Sequence, residues 1–301
     1  MKTNAIIRIV LFSLAILVLT GLLLGGIGAT HALQNLSDIT RNLVHHFETD
    51  EPVHTGDLKF AATYDAADIR DIEIEWVCGS ITILPSSTEN LITISETEVS
   101  KEQYRMKHRL SGNKLIIEFD DTDVYFGLSF DTAKDLLICV PKDWSCNALE
   151  IETASARVDV SDISIREFDF DGASGRCNIA NCAVGELDLD TASGDITFDG
   201  TLDVLDCDAA SASCRITVYN TPRIIEIDTA SGDLDLTLPE DCGFACNMQT
   251  LSGNFSSDFE TSSQNGSHIH GDGSCRINVD AMSGDVTIRK HTGHHTDHHT
   301  E

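Results

Sequence analysis

Carboxylates recurring at a fixed spacing are the residues of this 301-residue chain best placed to do chemistry. Counted back from a repeated corner residue (Cys78, Ser155, Ser174, Ser193, Ser211, Ser231, Ser252 and Ser283), an acid stands five positions earlier at Glu73, Glu150, Asp169, Asp188, Asp206 and Glu226. A second stands three positions earlier at Glu75, Glu152, Asp171, Asp190, Asp208, Asp228 and Asp280. Carboxylates stacked at a strand spacing of about 4.8 Å repel one another, so they hold protons above the usual pKa or gather counter-ions. Oxygen-only ligands suit calcium or magnesium, which makes Asp171, Asp190, Asp208 and Asp228 candidate calcium ligands. The competing reading is a solvated outer face in a chain of net charge −29. Such a charge argues against nucleic acid and anionic lipid as partners, and excludes neither proteins nor sugars.

Two other residue sets carry potential chemistry. Within the last eleven residues stand His291, His294, His295, His298 and His299. Of these, His294, His295, His298 and His299 are candidate ligands for a transition metal, against a plain polar tail with incidental affinity. The ten cysteines include no Cys-x-x-Cys pair. Cys177, Cys207, Cys214 and Cys246 fall in apolar columns and read as small buried hydrophobes. Cys177 and Cys214 are two repeats apart, about 10 Å and beyond disulfide reach, while Cys242 with Cys246 or Cys139 with Cys146 are the pairs that loop positions allow. Arg157, Arg176 and Arg215 recur beside the acids, where neutralising them is their simplest role. Abundant carboxylates alone do not make an acid–base site, so no catalytic residue and no cofactor other than calcium is expected.

The elements that position these acids are strands. Six and four residues before the corner the positions are apolar, as at Leu187 and Leu189, and so are those three and five after it, as at Ile196 and Phe198. Alternation with period two marks half-buried strands, so each repeat reads as strand, tight corner, strand. Glycine follows most corners, consistent with a positive φ there; Ala156 and Ala212 are exceptions. From Ser155 onward the corners are separated by 19, 19, 18, 20, 21 and 31 residues. That regularity predicts an all-β, single-stranded β-solenoid (β-helix) of about eight repeats, the alternative being an antiparallel sandwich.

Residues 1–32 read as an N-terminal membrane anchor. Lys2 and Arg8 precede 21 uncharged residues at 9–29, long enough for one transmembrane helix with the remainder outside the cytoplasm. A cleaved signal peptide ending near Thr30-His31-Ala32 is the rival. A polar spacer is expected over 33–63, the solenoid over 64–290 and the His-rich tail over 291–301. The copy at 275–288 is expected to close the solenoid, with a hairpin insertion near the start and an excursion at 258–274 as candidate caps.

The order Asp65-Ala66-Ala67-Asp68-Ile69, then Ile72-Glu73-Ile74-Glu75 and Gly79-Ser80-Ile81-Thr82-Ile83, continues through Lys114-Leu115-Ile116-Ile117-Glu118 and Val140-Pro141-Lys142-Asp143 to serial Thr-Ala-Ser-Gly-Asp corners. It resembles the bacterial putative-adhesin family of β-strand-repeat domains over about 64–290. The resemblance implies a solenoid displayed at a bacterial envelope, often joined to an N-terminal membrane segment, and brings no catalytic residues. The expected function is a non-enzymatic, membrane-anchored surface module that binds a cell-wall, glycan or protein partner. A polysaccharide-acting β-helix enzyme and an envelope-stress signalling accessory are the alternatives.

Overall fold

The computed structural model describes residues 58–87, 90–99, 104–119, 133–264 and 266–291. The expected anchor and the tail histidines His294, His295, His298 and His299 lie outside the described residues. Among the described residues no helix is long and apolar enough to cross a membrane. The described residues are all-β and solenoid-like, with a short 3-10 turn at Ala66–Asp68.

Period-two alternation becomes alternating burial. Leu187, Leu189, Ile196 and Phe198 are buried, while Asp188, Asp190 and Asp195 are exposed. Each coil lies parallel and in register on the next, as Leu149 on Phe168 and Phe168 on Leu187 before the corner. Beyond the corner, Ile81 stands on Val158 and Val158 on Cys177. Like residues therefore stack on like, and the inward side chains merge into one continuous core in which Trp76, Phe168, Phe198 and Phe244 are the largest fully buried apolar side chains. Burying such a column removes a nearly unbroken apolar stripe from water, which stabilises the stack by roughly 25 cal/mol for each Å² covered.

The corner glycines serve stacking as much as dihedral freedom. Gly194 has φ +127°, and a Cβ there would also stand 1.8 Å from the Gly175 carbonyl oxygen. Gly232 does not take a positive φ, contrary to the expectation, yet its Cβ would stand 1.8 Å from the Ala212 carbonyl oxygen. At Gly194 and Gly232 the neighbouring corner approaches so closely that there is no room for a side chain.

The order of the last coils differs from the order of the chain. Ile225 and Ile227 stand in register with Ile277 and Val279, and these in turn with Cys246 and Met248. Beyond the corner the same exchange recurs, with Leu234 on Val286 and Val286 on Phe255. The final copy therefore does not close the solenoid; it lies between its two predecessors. The physical reason is slack: a gap of 31 residues instead of about 19 lets the chain cross the outermost coil and return. The excursion does cap that coil, since Ser267–His270 runs antiparallel to Phe244–Ser252 and pairs on its other side with Ser262–Gln264.

The opposite end is capped by the insertion. Lys114–Glu118 lies parallel on Asp71–Ser86, with Lys107–Ser111 antiparallel outside it. In the post-corner sheet, Lys134–Pro141 follows Asp71–Ser86, then Leu91–Thr97, then Leu58–Asp65. That last strand begins inside the segment expected as spacer, so the domain starts at least as early as Leu58.

A buried ion pair fixes the insertion. Lys134 is 1% exposed; its Nζ lies 3.0 Å from Glu96 Oε2, donates to the Tyr104 carbonyl at 2.8 Å, and donates to the Phe119 carbonyl. It also sits 4.1 Å from the Phe119 ring centroid and 4.9 Å from that of Trp76. Glu96 accepts from the Met106 N–H at 3.0 Å, and Trp76 Nε1 donates to the Lys134 carbonyl at 3.0 Å. A charge this far from water is tolerable because carboxylate, carbonyls and aromatic faces replace its hydration.

Candidate functional site

The pre-corner strands carry the acids outward because their neighbours point inward. Taking the coils in spatial order, the column five before the corner runs Glu73, Glu150, Asp169, Asp188, Asp206, Glu226, Asn278, Asn247. The column three before it runs Glu75, Glu152, Asp171, Asp190, Asp208, Asp228, Asp280, Gln249. Both ladders thus end in amides at the distal end; in the second, Gln249 falls at the end and not between Asp228 and Asp280 only because the last two coils stack out of chain order. Candidate residues Asp171, Asp190, Asp208 and Asp228 fall in one row, Asp171 half-buried and the other three exposed. At the proximal end the row turns inward, with Glu75 6% and Glu152 2% exposed, so the acidic face is not uniformly solvated.

Stacking shifts the titration of these groups. Crowding out of water, followed by repulsion from Asp171, Asp188 and Asp208, pushes Asp190 up to about 7. Asp188, Asp208 and Asp228 are raised by the same desolvation and then by neighbouring acids of the two ladders. Relief comes at two places. Lys114 Nζ bridges Glu73 at 2.8 Å and Glu150 at 3.3 Å, and Asn278 Nδ2 donates to Glu226 Oε1 at 3.1 Å. Beyond the corner, Arg157 holds Asp159 through two hydrogen bonds of 2.7 and 3.2 Å, and Arg176 lies 3.7 Å from Asp195.

The row is a line, not a cage. Among the described residues no three His, Cys, Asp or Glu side chains converge as a metal-ligand set. A calcium ion on the row would take one or two carboxylates from the protein and complete its six to eight oxygens from water or a partner.

All ten cysteines are unbonded, and eight are buried. Burial pushes Cys146 and Cys246 up to about 12, which keeps them protonated and inert. The contacts among thiols are not those expected from loop positions. Cys207 and Cys214, facing each other across one coil, have sulfurs 3.7 Å apart, and the Cys242 thiol donates to the Gly243 carbonyl at 3.6 Å.

A feature that the sequence reading did not single out is a cavity of about 720 Å³ at the start of the ladder-bearing strands, where Ser145, Ser164 and Ala183 lie side by side. Arg70, Asp143, Trp144, Asn147 and Arg166 line it. The Trp144 indole N–H donates to the Ile69 carbonyl at 3.2 Å, which fixes the ring. Arg166 Nε donates to Asn147 Oδ1 at 2.7 Å, and Asn147 Nδ2 to Asp71 Oδ1 at 3.0 Å.

These features define a solenoid-like β-repeat protein with one acidic outer face. The sequence profile of the Toastrack DUF4097 family matches residues 69–219 and again 147–289, and the chain belongs to that family. No match is found among curated proteins. Similar solved structures include a "putative adhesin" of Bacteroides fragilis, at 13% identity over 78% of this chain and 97% of that one, TM-score 0.46. Another is a "putative adhesin" of Parabacteroides distasonis, at 12% identity over 79% and 98%, TM-score 0.40. A "putative cell adhesion protein" of Clostridium sporogenes matches at 10% identity over 78% and 100%, TM-score 0.38.

Proposed function

We propose that this chain is a non-enzymatic binding module at a bacterial cell surface, held to the membrane by its apolar segment at 9–29, with the solenoid outside the cytoplasm. Its partner is a cell-wall, glycan or protein component of the envelope or its surroundings. The observation that carries the reading is the in-register acidic ladder: an ordered stack presents the same group coil after coil, a geometry suited to many weak parallel contacts with an extended partner. Acid–base catalysis asks instead for unlike groups, with separated pKa values, gathered at one point. Calcium bridging Asp171, Asp190, Asp208 and Asp228 to partner oxygens belongs to this proposal.

The test is retention of the full chain's exported part on intact cells, with and without a chelator. Specific retention that the chelator abolishes supports a cation-bridged binder. Specific retention that survives it supports the module without calcium. No retention of any envelope component, or steady shortening of a retained glycan, contradicts the proposal.

A further inference from the structure

We propose that the cavity beside Trp144 binds a short oligosaccharide carrying a carboxylated sugar; this deepens the surface-module reading by giving it a glycan site. The cavity volume, about 720 Å³, lies within the range of about 300 to 1,000 Å³ usual for small-ligand sites.

Its chemistry is that of sugar recognition. Trp144 supplies an apolar ring whose orientation is set by its bond to the Ile69 carbonyl, so a pyranose face can pack on it without first ordering the side chain. Asn147 and Arg166 hold each other through a 2.7 Å hydrogen bond, and Arg166 is further paired with Glu167, so these polar groups are preorganised at the rim.

Arg70 sets the charge of the ligand. Its backbone is pinned on both sides, the N–H donating to the Asn113 carbonyl at 2.9 Å and the carbonyl accepting from the Asn147 N–H at 2.7 Å. Its exposed guanidinium takes no side-chain hydrogen bond or ion pair among the described residues, in a chain of net charge −29. An exposed guanidinium at the rim of a cavity and not committed to a carboxylate of its own protein fits a carboxylate from outside, bound by two parallel N–H···O bonds. Asp143 on the same cavity fits sugar hydroxyls as an acceptor. The ligand is short because the acidic ladder begins on the same strands and repels a longer polyanion.

The chain carries its own reporter. It has two tryptophans, and Trp76 is fully buried beneath Lys134, so a ligand-induced change in tryptophan fluorescence reports on Trp144. The full chain in detergent is titrated to millimolar concentration with digalacturonate and with a glucuronyl-N-acetylglucosamine disaccharide. Each is compared with its methyl ester, which keeps the shape and loses the charge.

The expected result is a saturable change with at least one acid, weakened tenfold or more by esterification and by Arg70→Ala. Trp144→Phe should remove the fluorescence change, with calorimetry reading the residual binding. No saturable binding of either acid by fluorescence and calorimetry overturns the proposal, as does equal binding of acid and ester or an Arg70→Ala affinity equal to wild type. Retention of Arg70→Ala on intact cells, measured in parallel, separates the two readings: undiminished retention alongside absent disaccharide binding removes the cavity and leaves the surface module standing.

Discussion

Ile227 stands in register with Val279, which comes later in the chain than Met248, the equivalent residue of the next copy in sequence. Val279 thus has a coil on each side, whereas Met248 belongs to the outermost coil. The order predicts unequal costs for one polar change. Val279→Asp would bury an unpaired charge between two coils and is expected to destabilise by about 3 kcal/mol or more. Met248→Asp, at a half-buried end position, is expected to cost about 1 kcal/mol or less. Thermal melts of the two variants check this, and the reverse ranking would mean that the coils stack in chain order.

The acidic face makes the protein more stable in mild acid. With its folded pKa at about 7 against an ordinary 3.8, Asp190 binds its proton more tightly in the folded state than in the unfolded one. That contribution is fully present below the unfolded value and is lost as pH rises through about 7. Melting temperature should therefore fall between pH 5 and pH 8, and Asp190→Asn should flatten the fall and be the more stable protein at pH 8. Identical pH profiles for the two proteins would show that Asp190 is not crowded by its neighbours.

Removing half of the buried ion pair should be worse than removing all of it. Lys134→Met leaves Glu96 buried without its cation and is expected to cost about 3 to 5 kcal/mol. The double variant Lys134→Met with Glu96→Gln should recover a large part of that loss in a denaturant titration. A double variant as unstable as the sum of the two single ones would mean that the groups do not interact.

Within one coil, inward and outward residues should respond oppositely. Leu189 is fully buried in the column between Phe170 and the next coil, so Leu189→Ala is expected to cost about 2 to 5 kcal/mol. Asp188, exposed and repelled by Asp169 and Asp206, should become neutral or mildly stabilising as Asn. Denaturation midpoints of both variants decide the point.

Much of this architecture is written in single residues at fixed offsets. The strand–corner–strand unit, the inward columns of Leu187 and Leu189 and the outward rows of Asp188 and Asp190 all follow from period two and a near-constant repeat. What a repeat does not encode is which copy lies beside which: Cys246 and Ile277 occupy the same column, and either satisfies Ile225 as a neighbour. Contacts outside the repeat were equally silent. Lys134 and Glu96 are 38 residues apart with no periodic relation, and Arg70 shares a cavity with Trp144, whose indole N–H is bonded to the carbonyl of Ile69, 75 residues away. The corner glycines were legible as a type, but Gly232 is required by the Ala212 carbonyl of the neighbouring coil, not by its own dihedral.

The most direct measurement of the central claim is retention of the protein on intact cells, compared between wild type and a variant with Asp171, Asp190, Asp208 and Asp228 all changed to Asn. Circular dichroism and a melt first establish that the variant is folded, which the relief of repulsion along the row predicts. If the acidic ladder is the binding surface, the variant should lose tenfold or more of its specific retention at matched ionic strength while melting at or above the wild-type temperature. Retention equal to wild type in a folded variant would contradict the account.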